Sequence, residues 1–505
     1  MQYQSDFYNT EIFKAVQKAG LFTDSKAFAD AIAKIPLAEI EQLYAKQKPT
    51  GAALLNFVHT HFDFVASKEL EALPDFACAQ LYISALWSRL SRKPSTVATG
   101  SLLPLPYPYV VPGGRFNEIY YWDSYFTALG LLDANRNDLV EGMLDNFISL
   151  IDRIGHVPNG NRDYYQSRSQ PPVTALMVDL LWQQKSDDMQ WLKRVTQGLI
   201  KEHNFWQTGG DVGSTEGNAR LRVVTMPCGG TLNRYWDPLA APRPESYVED
   251  VELASKAVDP SVLYQHIRAA CESGWDFSSR WLANPDDLAS IRTTQIIPVD
   301  LNALLVLLEL QLARCLKKLN NETQAEHYDS LASKRSALIQ RYCWCDETGW
   351  FYDVNLDDYQ PTKIVSLAGV VPMFAKQVTP AQAQRMGDKL RYDFLKSGGL
   401  VSTLTPTSQQ WDSPNGWAPL QWFAVSGLRS YGQNQLASEI MQAWIYAVET
   451  GFAHLGCLLE KYNVVEPDKQ AEGGEYVVQQ GFGWTNGVTS RFYRLLASEV
   501  DSFLG

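Results

Sequence analysis

Leu301, Leu304, Leu305, Leu308 and Leu312 fall at i, i+3, i+4, i+7 and i+11, the spacing of one helix face. Tyr328, Leu331, Leu338 and Tyr342 carry the same period into the next segment. Such pairs recur along the chain: 117–133 with 137–153, 172–184 with 188–204, 292–319 with 322–342, 364–375 with 379–394 and 418–431 with 433–449. A final helix is predicted at 485–498. Long loops at 155–171, 206–247, 395–417 and 451–484 separate alternate helices and carry Gly, Asn, Pro, Arg and aromatic residues. Loops of this length in a compact domain are mostly functional. Recurring at similar places in successive pairs, they would open on one face. A toroid of helical hairpins with elaborated loops on one side accounts for both features. A plain bundle would fit the periodicity and leave the loops unexplained. Strand signals are few, with short hairpins predicted at 221–224 and 350–352.

Residues 1–95 read as an N-terminal helical wrap with short helices at 9–20, 25–34, 37–47 and 51–60 and a stronger one at 81–90. The Pro-rich strap 103–109 is forced into extended backbone and leads into a catalytic domain over 96–505. A net charge of −12 argues against a nucleic acid or an anionic membrane as partner and favours a neutral small molecule. Seven scattered cysteines do not form a disulfide framework. Cys343 and Cys345 lack a second pair or a nearby His to make a metal site, and no cofactor is expected. The first twenty residues show neither the basic nor the apolar region of a signal peptide, and no stretch of about 18 apolar residues appears. Cytoplasm is the expected location, or the periplasm or exterior if a leader has been removed, and a monomer is expected.

The chemistry-bearing motifs lie in or beside the loops. Residues 112–126, PGGRFNEIYYWDSYF, run from a tight glycine turn into aromatics and charge. If that segment is helical, Phe116, Tyr120 and Asp123 share one face and Arg115 stands at the helix start. A cation, a carboxylate and flat rings on a rigid element suit a sugar. Residues 155–172 place Asn159, Arg168 and Gln170 on a Gly/Pro-constrained loop, and 241–247 fix Arg243 and Glu245 between prolines. Residues 272–281 set Asp276 between Trp275 and Phe277, where desolvation would raise its pKa toward that of a general acid. An N-cap at Ser273 or Asp276 is the plainer alternative. Residues 410–423, QWDSPNGWAPLQWF, offer Trp411 and Trp417 as sugar platforms, with Asp412 a candidate N-cap and Trp422 a packing residue. Glu460 ends an apolar segment, and Glu475 follows Gly473 and Gly474 on a loop that could close as a lid.

Taken together, 112–126 and 410–423 closely resemble the two signature motifs of the trehalases, inverting glycoside hydrolases with an all-α, (α/α)6-barrel fold. The resemblance runs through NGNRDYYQSRSQPP, PRPES, ESGWDFSSRW, LLEKYNVV and GGEY, over roughly 10–498. It implies hydrolysis of α,α-trehalose to two glucose molecules with inversion, Asp276 as general acid and Glu460 as general base. It also implies substrate contacts from Arg115, Trp122, Asp123, Asn159, Arg168, Ser169, Gln170, Arg243, Glu245, Gly274 and Glu475. The three arginines would grip hydroxyls and keep Asp123 and Glu245 ionised. Two positions and one loop depart from the family pattern: Asn463 stands where Asp is common, Cys271 where Ala is usual, and the loop before Glu475 has fewer glycines. The alternatives are an (α/α)6 glycosidase acting on another glucoside, or a trehalose-binding sensor on a glycosidase-like fold.

Overall fold

The computed structural model describes residues 6–64, 76–210 and 219–504. Twelve helices among them form two concentric rings. The inner ring is Tyr121–Asp133, Thr174–Lys185, Val299–Lys318, Val371–Phe374, Ala418–Ser430 and Gly483–Leu504, each packed on the next and the last on the first. Inner helices must be apolar nearly all round, because they touch neighbours on every side. Tyr121–Asp133 meets this demand: every residue from Tyr121 to Leu131 is buried. The outer ring needs only one apolar face. Asn137–Ile154, Met189–Trp206, Glu322–Tyr342, Pro380–Lys389 and Asn434–Leu455 supply it, each following its inner partner in the chain.

The final helix has no following partner. Its outer neighbour is Ala79–Leu90, contributed from upstream of the first hairpin. Ala79, Tyr82, Ile83, Leu86, Trp87 and Leu90 belong to the same continuous core as the barrel. Ring closure brings Gly483–Leu504 very close to Tyr121–Asp133. A Cβ on Gly130 would lie 2.7 Å from Gly487 Cα, so both helices use glycine at the crossing.

A second, smaller core gathers Phe7, Ile12, Phe13, Val16, Phe28, Ile40, Leu54, Phe57, Val58 and Phe62, with Phe13 and Phe28 stacked at 5.8 Å. It also takes in Tyr120, Tyr164 and Tyr165 from the barrel loops. Beside it lies a buried ion cluster. Lys26 Nζ is 2.5 Å from Asp30 and 3.0 Å from Glu118, while Arg162 reaches Glu118 at 2.9 Å and Asp30 at 3.2 Å. Two cations and two carboxylates satisfy one another there, which buried charges require.

Strands are short, as expected. Trp344–Cys345 pairs with Trp350–Phe351, and Ala219–Arg220, Val223–Thr225 and Thr231–Asn233 make a three-stranded patch. Asn415–Gly416 pairs with Tyr462–Asn463, so the turn of 410–417 is tied directly to the residues after Glu460. Among the described residues no helix is long and apolar enough to cross a membrane.

Candidate active site

The loops between hairpins converge on a cavity at one end of the barrel. Its lining includes Arg115, Trp122, Asp123, Asn159, Arg168, Gln170, Arg243, Glu245, Gly274, Asp276, Glu460 and Glu475, drawn from segments more than 300 residues apart. Ser169 is turned elsewhere: its Oγ donates to Val157 O at 2.6 Å and its N–H to Glu272 Oε1 at 2.9 Å. Ser169 thereby holds the backbone between Arg168 and Gln170.

Residues 112–120 are not helical. Gly113 and Gly114 take φ of +112° and +59°, Gly113 bridges Phe116, and Tyr120 is extended before the helix begins at Tyr121. Phe116, Tyr120 and Asp123 therefore do not share a helix face, and Arg115 stands on the turn, away from any helix start. The glycine turn and the extended strap-like backbone outcompete helix formation until Tyr121. Arg115 is held from two sides. Its Nη2 donates to Asp24 Oδ1 at 2.7 Å and its backbone N–H to Gln479 Oε1 at 2.7 Å. Its guanidinium lies 4.6 Å from the Tyr476 ring centroid.

Trp122 and Asp123 occupy the first turn of Tyr121–Asp133, where the Trp122 N–H donates to Gln170 Oε1 at 3.1 Å. Arg168 donates through Nε to Asn159 Oδ1 at 2.9 Å and through Nη2 to Glu245 Oε1 at 2.6 Å. Arg168 Nη1 and Glu245 Oε2 are buried with no hydrogen-bond partner among the described residues. Arg168 Nη1 has only the more distant Asp237 carboxylate at 3.9 Å, and such unfilled hydrogen-bonding capacity suits a polyhydroxy ligand. Arg243 clasps Asp250 at 2.6 Å and Glu475 at 2.8 Å.

Asp276 follows the helix Pro260–Ser273, whose end is turned by Gly274 at φ +75°. A Cβ there would press within 2.8 Å of the Trp122 ring, so glycine serves both the turn and the close approach. Asp276 is not an N-cap. Its carboxyl faces the cavity, while its backbone C=O accepts from Gln410 Nε2. Trp275 is buried and stacks on Trp411, which stacks on Trp417 at 3.9 Å. Asp412, expected as a possible N-cap, is a buried acceptor instead. It receives Ser278 Oγ, Ser279 N, Ser279 Oγ, Thr403 Oγ1 and Thr407 Oγ1 within 3.0 Å. Trp422 packs in the core and donates to the Tyr125 hydroxyl.

Electrostatics differ among the carboxyls. Burial pushes Asp276 up to about 7; Arg243 opposes this and the charge of Glu475 adds to it. Burial also raises Glu460, against Lys461, the Tyr476 hydroxyl, the Gln479 N–H and Arg115. Glu245 is held below the usual range: its burial is outweighed by Arg168, Arg243 and Arg268. Asp123 corrects the expectation that the arginines keep it ionised. Burial raises it well above the usual range, and the charges of Glu460 and Asp276 raise it further.

The family model described as Trehalase matches residues 20–497. The chain belongs to the trehalase family. A protein named periplasmic trehalase from Escherichia coli is 42% identical over 489 residues, covering 96% of this chain and 86% of its own. Among solved structures, the neutral trehalase of Saccharomyces cerevisiae aligns with a TM-score of 0.64 at 28% identity, over 84% of this chain and 80% of its own. A mannosylglycerate hydrolase from Thermus thermophilus aligns with a TM-score of 0.53 at 18% identity over 82% of this chain and 99% of its own, a likeness of fold alone. These relatives support the (α/α)6 barrel. The word periplasmic in the relative's name does not support the expected cytoplasmic location.

Two departures from the trehalase pattern are accommodated locally. Asn463 Oδ1 accepts from the N–H groups of Val465 and Glu466, the turn-capping bonds an Asp would make. Cys271 Sγ lies 3.3 Å from Arg243 Nη1 in the cavity wall. Sequence reasoning missed Lys26, Tyr165, Ser246, Tyr476, Phe482 and Trp484, which also line the cavity. Tyr476 sits beside Glu475, and its position in a glycine-hinged loop was the available signal. Lys26 had none, because it arrives from the N-terminal core.

Proposed function

We propose that the chain hydrolyses α,α-trehalose to two molecules of glucose with inversion at the attacked carbon, Asp276 serving as general acid and Glu460 as general base. The observation that carries this is one cavity in a trehalase-family chain lined by two carboxyls with different surroundings. Asp276, pushed up to about 7 by burial, keeps a proton to give. Glu460 is raised by burial as well, but the Tyr476 hydroxyl at 2.8 Å and Lys461 beside it oppose that rise and support its charged form. In the reaction Asp276 protonates the bridging oxygen as the glycosidic bond breaks. Glu460 takes a proton from a water on the opposite face, and that water's oxygen bonds to the oxocarbenium-like carbon. Carboxyl groups serving this way stand about 6.5–9.5 Å apart, leaving room for the water.

Arg115, Arg168 and Arg243 would donate to sugar hydroxyls, with Glu245 and Glu475 accepting. Arg168 is held by Glu245, Arg243 by Glu475 and Arg115 by Asp24 before substrate arrives, so little order has to be created on binding. Trp411 and Trp417 support the wall against which apolar sugar faces would lie. The relatives' name favours the periplasm over the cytoplasm as the working location, which cell fractionation with an activity assay would test.

The decisive measurement is glucose release from trehalose by Asp276→Asn and Glu460→Gln beside the parent, with maltose, kojibiose and sucrose as comparison substrates. Each variant is expected to lose at least about 10²-fold in kcat. NMR of the first product should show one β anomer for each α. Near-normal turnover in both variants, or net retention, would reject the assignment.

A further inference from the structure

The segment 473–480 meets both sides of the proposed catalytic pair. Gly473 and Gly474, at φ +85° and +103°, turn the chain inward. Glu475 then binds Arg243 at 2.8 Å and Ser246 Oγ at 3.2 Å. The next ring, Tyr476, packs edge-on against Phe116 at 5.5 Å and beneath the Arg115 guanidinium. Its hydroxyl donates to Glu460 Oε1 at 2.8 Å, and the Gln479 N–H approaches Oε2 at 3.4 Å. The hydrogen-bond donors to the Glu460 carboxylate found among the described residues therefore both arrive on this one segment.

We propose that Tyr476 is a positioning residue for Glu460: presented by the docked segment, its hydroxyl fixes the carboxylate's orientation and favours the charged form that activates water. The proposal rests on the reading of Glu460 as general base. A carboxylate in an apolar enclosure loses its hydration, and a donated hydrogen bond replaces part of it. Lys461 and Arg115 also face Glu460 and favour its charge, while its burial and the neighbouring Asp123 oppose it. Tyr476 is itself kept protonated, first by burial and then by the charge of Glu460, so it remains a donor at working pH. Undocking of 473–480 would remove the bond and leave the base unaligned, so segment position and base competence change together.

The test is the pH profile of kcat/KM for Tyr476→Phe on trehalose. The acid limb reports ionisation of the base in the free enzyme. Loss of a donor to the charged form should move that limb upward by about one pH unit and lower kcat about tenfold at pH ~5.5, with KM changed less than about threefold. The phenylalanine ring keeps the packing on Phe116 and Arg115. Val477→Ala, at an exposed neighbour on the same segment, should leave the limb in place. An unmoved limb in Tyr476→Phe, or an equal shift in Val477→Ala, overturns the proposal. If the phenylalanine variant unfolds, 3-fluorotyrosine at 476, a more acidic phenol, should move the limb downward, and no movement overturns it too. Near-normal turnover in Glu460→Gln would instead remove the base assignment itself, a separate failure.

Discussion

Arg243 Nη2 stands 2.8 Å from Glu475 Oε1, joining an arginine fixed between two prolines to a carboxylate on a glycine-hinged segment 232 residues later. Asp250 accepts from the same Nη2 at 2.6 Å and from Nε at 3.1 Å, so the arginine's direction does not depend on that segment alone. Glu475 therefore docks onto a preset cation. The same carboxylate adds to the pressure that keeps Asp276 protonated. One ion pair thus links the closed position of the segment to the readiness of the proposed acid.

Asp276 should set the alkaline limb of activity. It must be protonated to act, so kcat/KM should decline as pH rises through about 7. The same shift has a sign in stability. A carboxyl raised above its unfolded value binds its proton more tightly in the native state, so stability falls as pH rises from the ordinary Asp range to about 7. Each unit of separation costs about 1.4 kcal/mol. Asp276→Asn should therefore be more stable than the parent at pH ~8, with the difference closing near pH ~4. Thermal melts at both values measure it, and a variant less stable at the higher pH would contradict the burial argument.

Asp412 lies behind the catalytic loop and accepts from five donors, two of them on Ser279. Asp412→Ala should strand these donors, lower stability by about 2–4 kcal/mol and reduce kcat, because Ser278 and Ser279 hold the turn after Asp276. Urea unfolding and steady-state kinetics would show both effects. A loss of stability with unchanged kcat would mean that the turn does not aim Asp276.

Arg168→Lys keeps the charge and removes the fork that reaches Asn159 and Glu245 together. KM for trehalose should rise by about tenfold or more, with kcat less affected, since the proposed contact would be made to substrate before any bond breaks. Equal losses in kcat and kcat/KM would place Arg168 in transition-state stabilisation instead.

Lys26→Met leaves Asp30 and Glu118 buried with Arg162 as their remaining cation. Breaking such a cluster costs about 3–5 kcal/mol. The melting temperature should drop by several degrees and activity should fall with it, because Lys26 also lines the cavity. An unchanged melting temperature would show that the N-terminal core and barrel do not depend on this junction.

Much of this was legible in local sequence. The leucine spacing at 301–312 anticipated the inner helix Val299–Lys318, and the five predicted hairpins correspond to five observed pairs. The outer partner of the last helix was not legible as such. Ala79–Leu90 was recognisable as a helix, but nothing in its period says that it packs on residues some 400 positions later. The start of the helix at Tyr121 was misread because aromatic spacing alone cannot tell a helix from a strap that precedes one.

For the site, residue types and motif order determined which side chains were candidates: Asp276, Glu460, the three arginines and their carboxylate partners. Tertiary structure decided what each can do. It buried Asp123 beside Glu460 and Asp276, turned Ser169 to the backbone of Val157, set Asp24 against Arg115 and delivered Tyr476 to Glu460. Periodicity and motif chemistry are properties of neighbouring residues and can be read along the chain. Charge state and hydrogen-bond completion depend on desolvation and on distances between residues hundreds of positions apart, and those distances exist only once the rings of helices have closed.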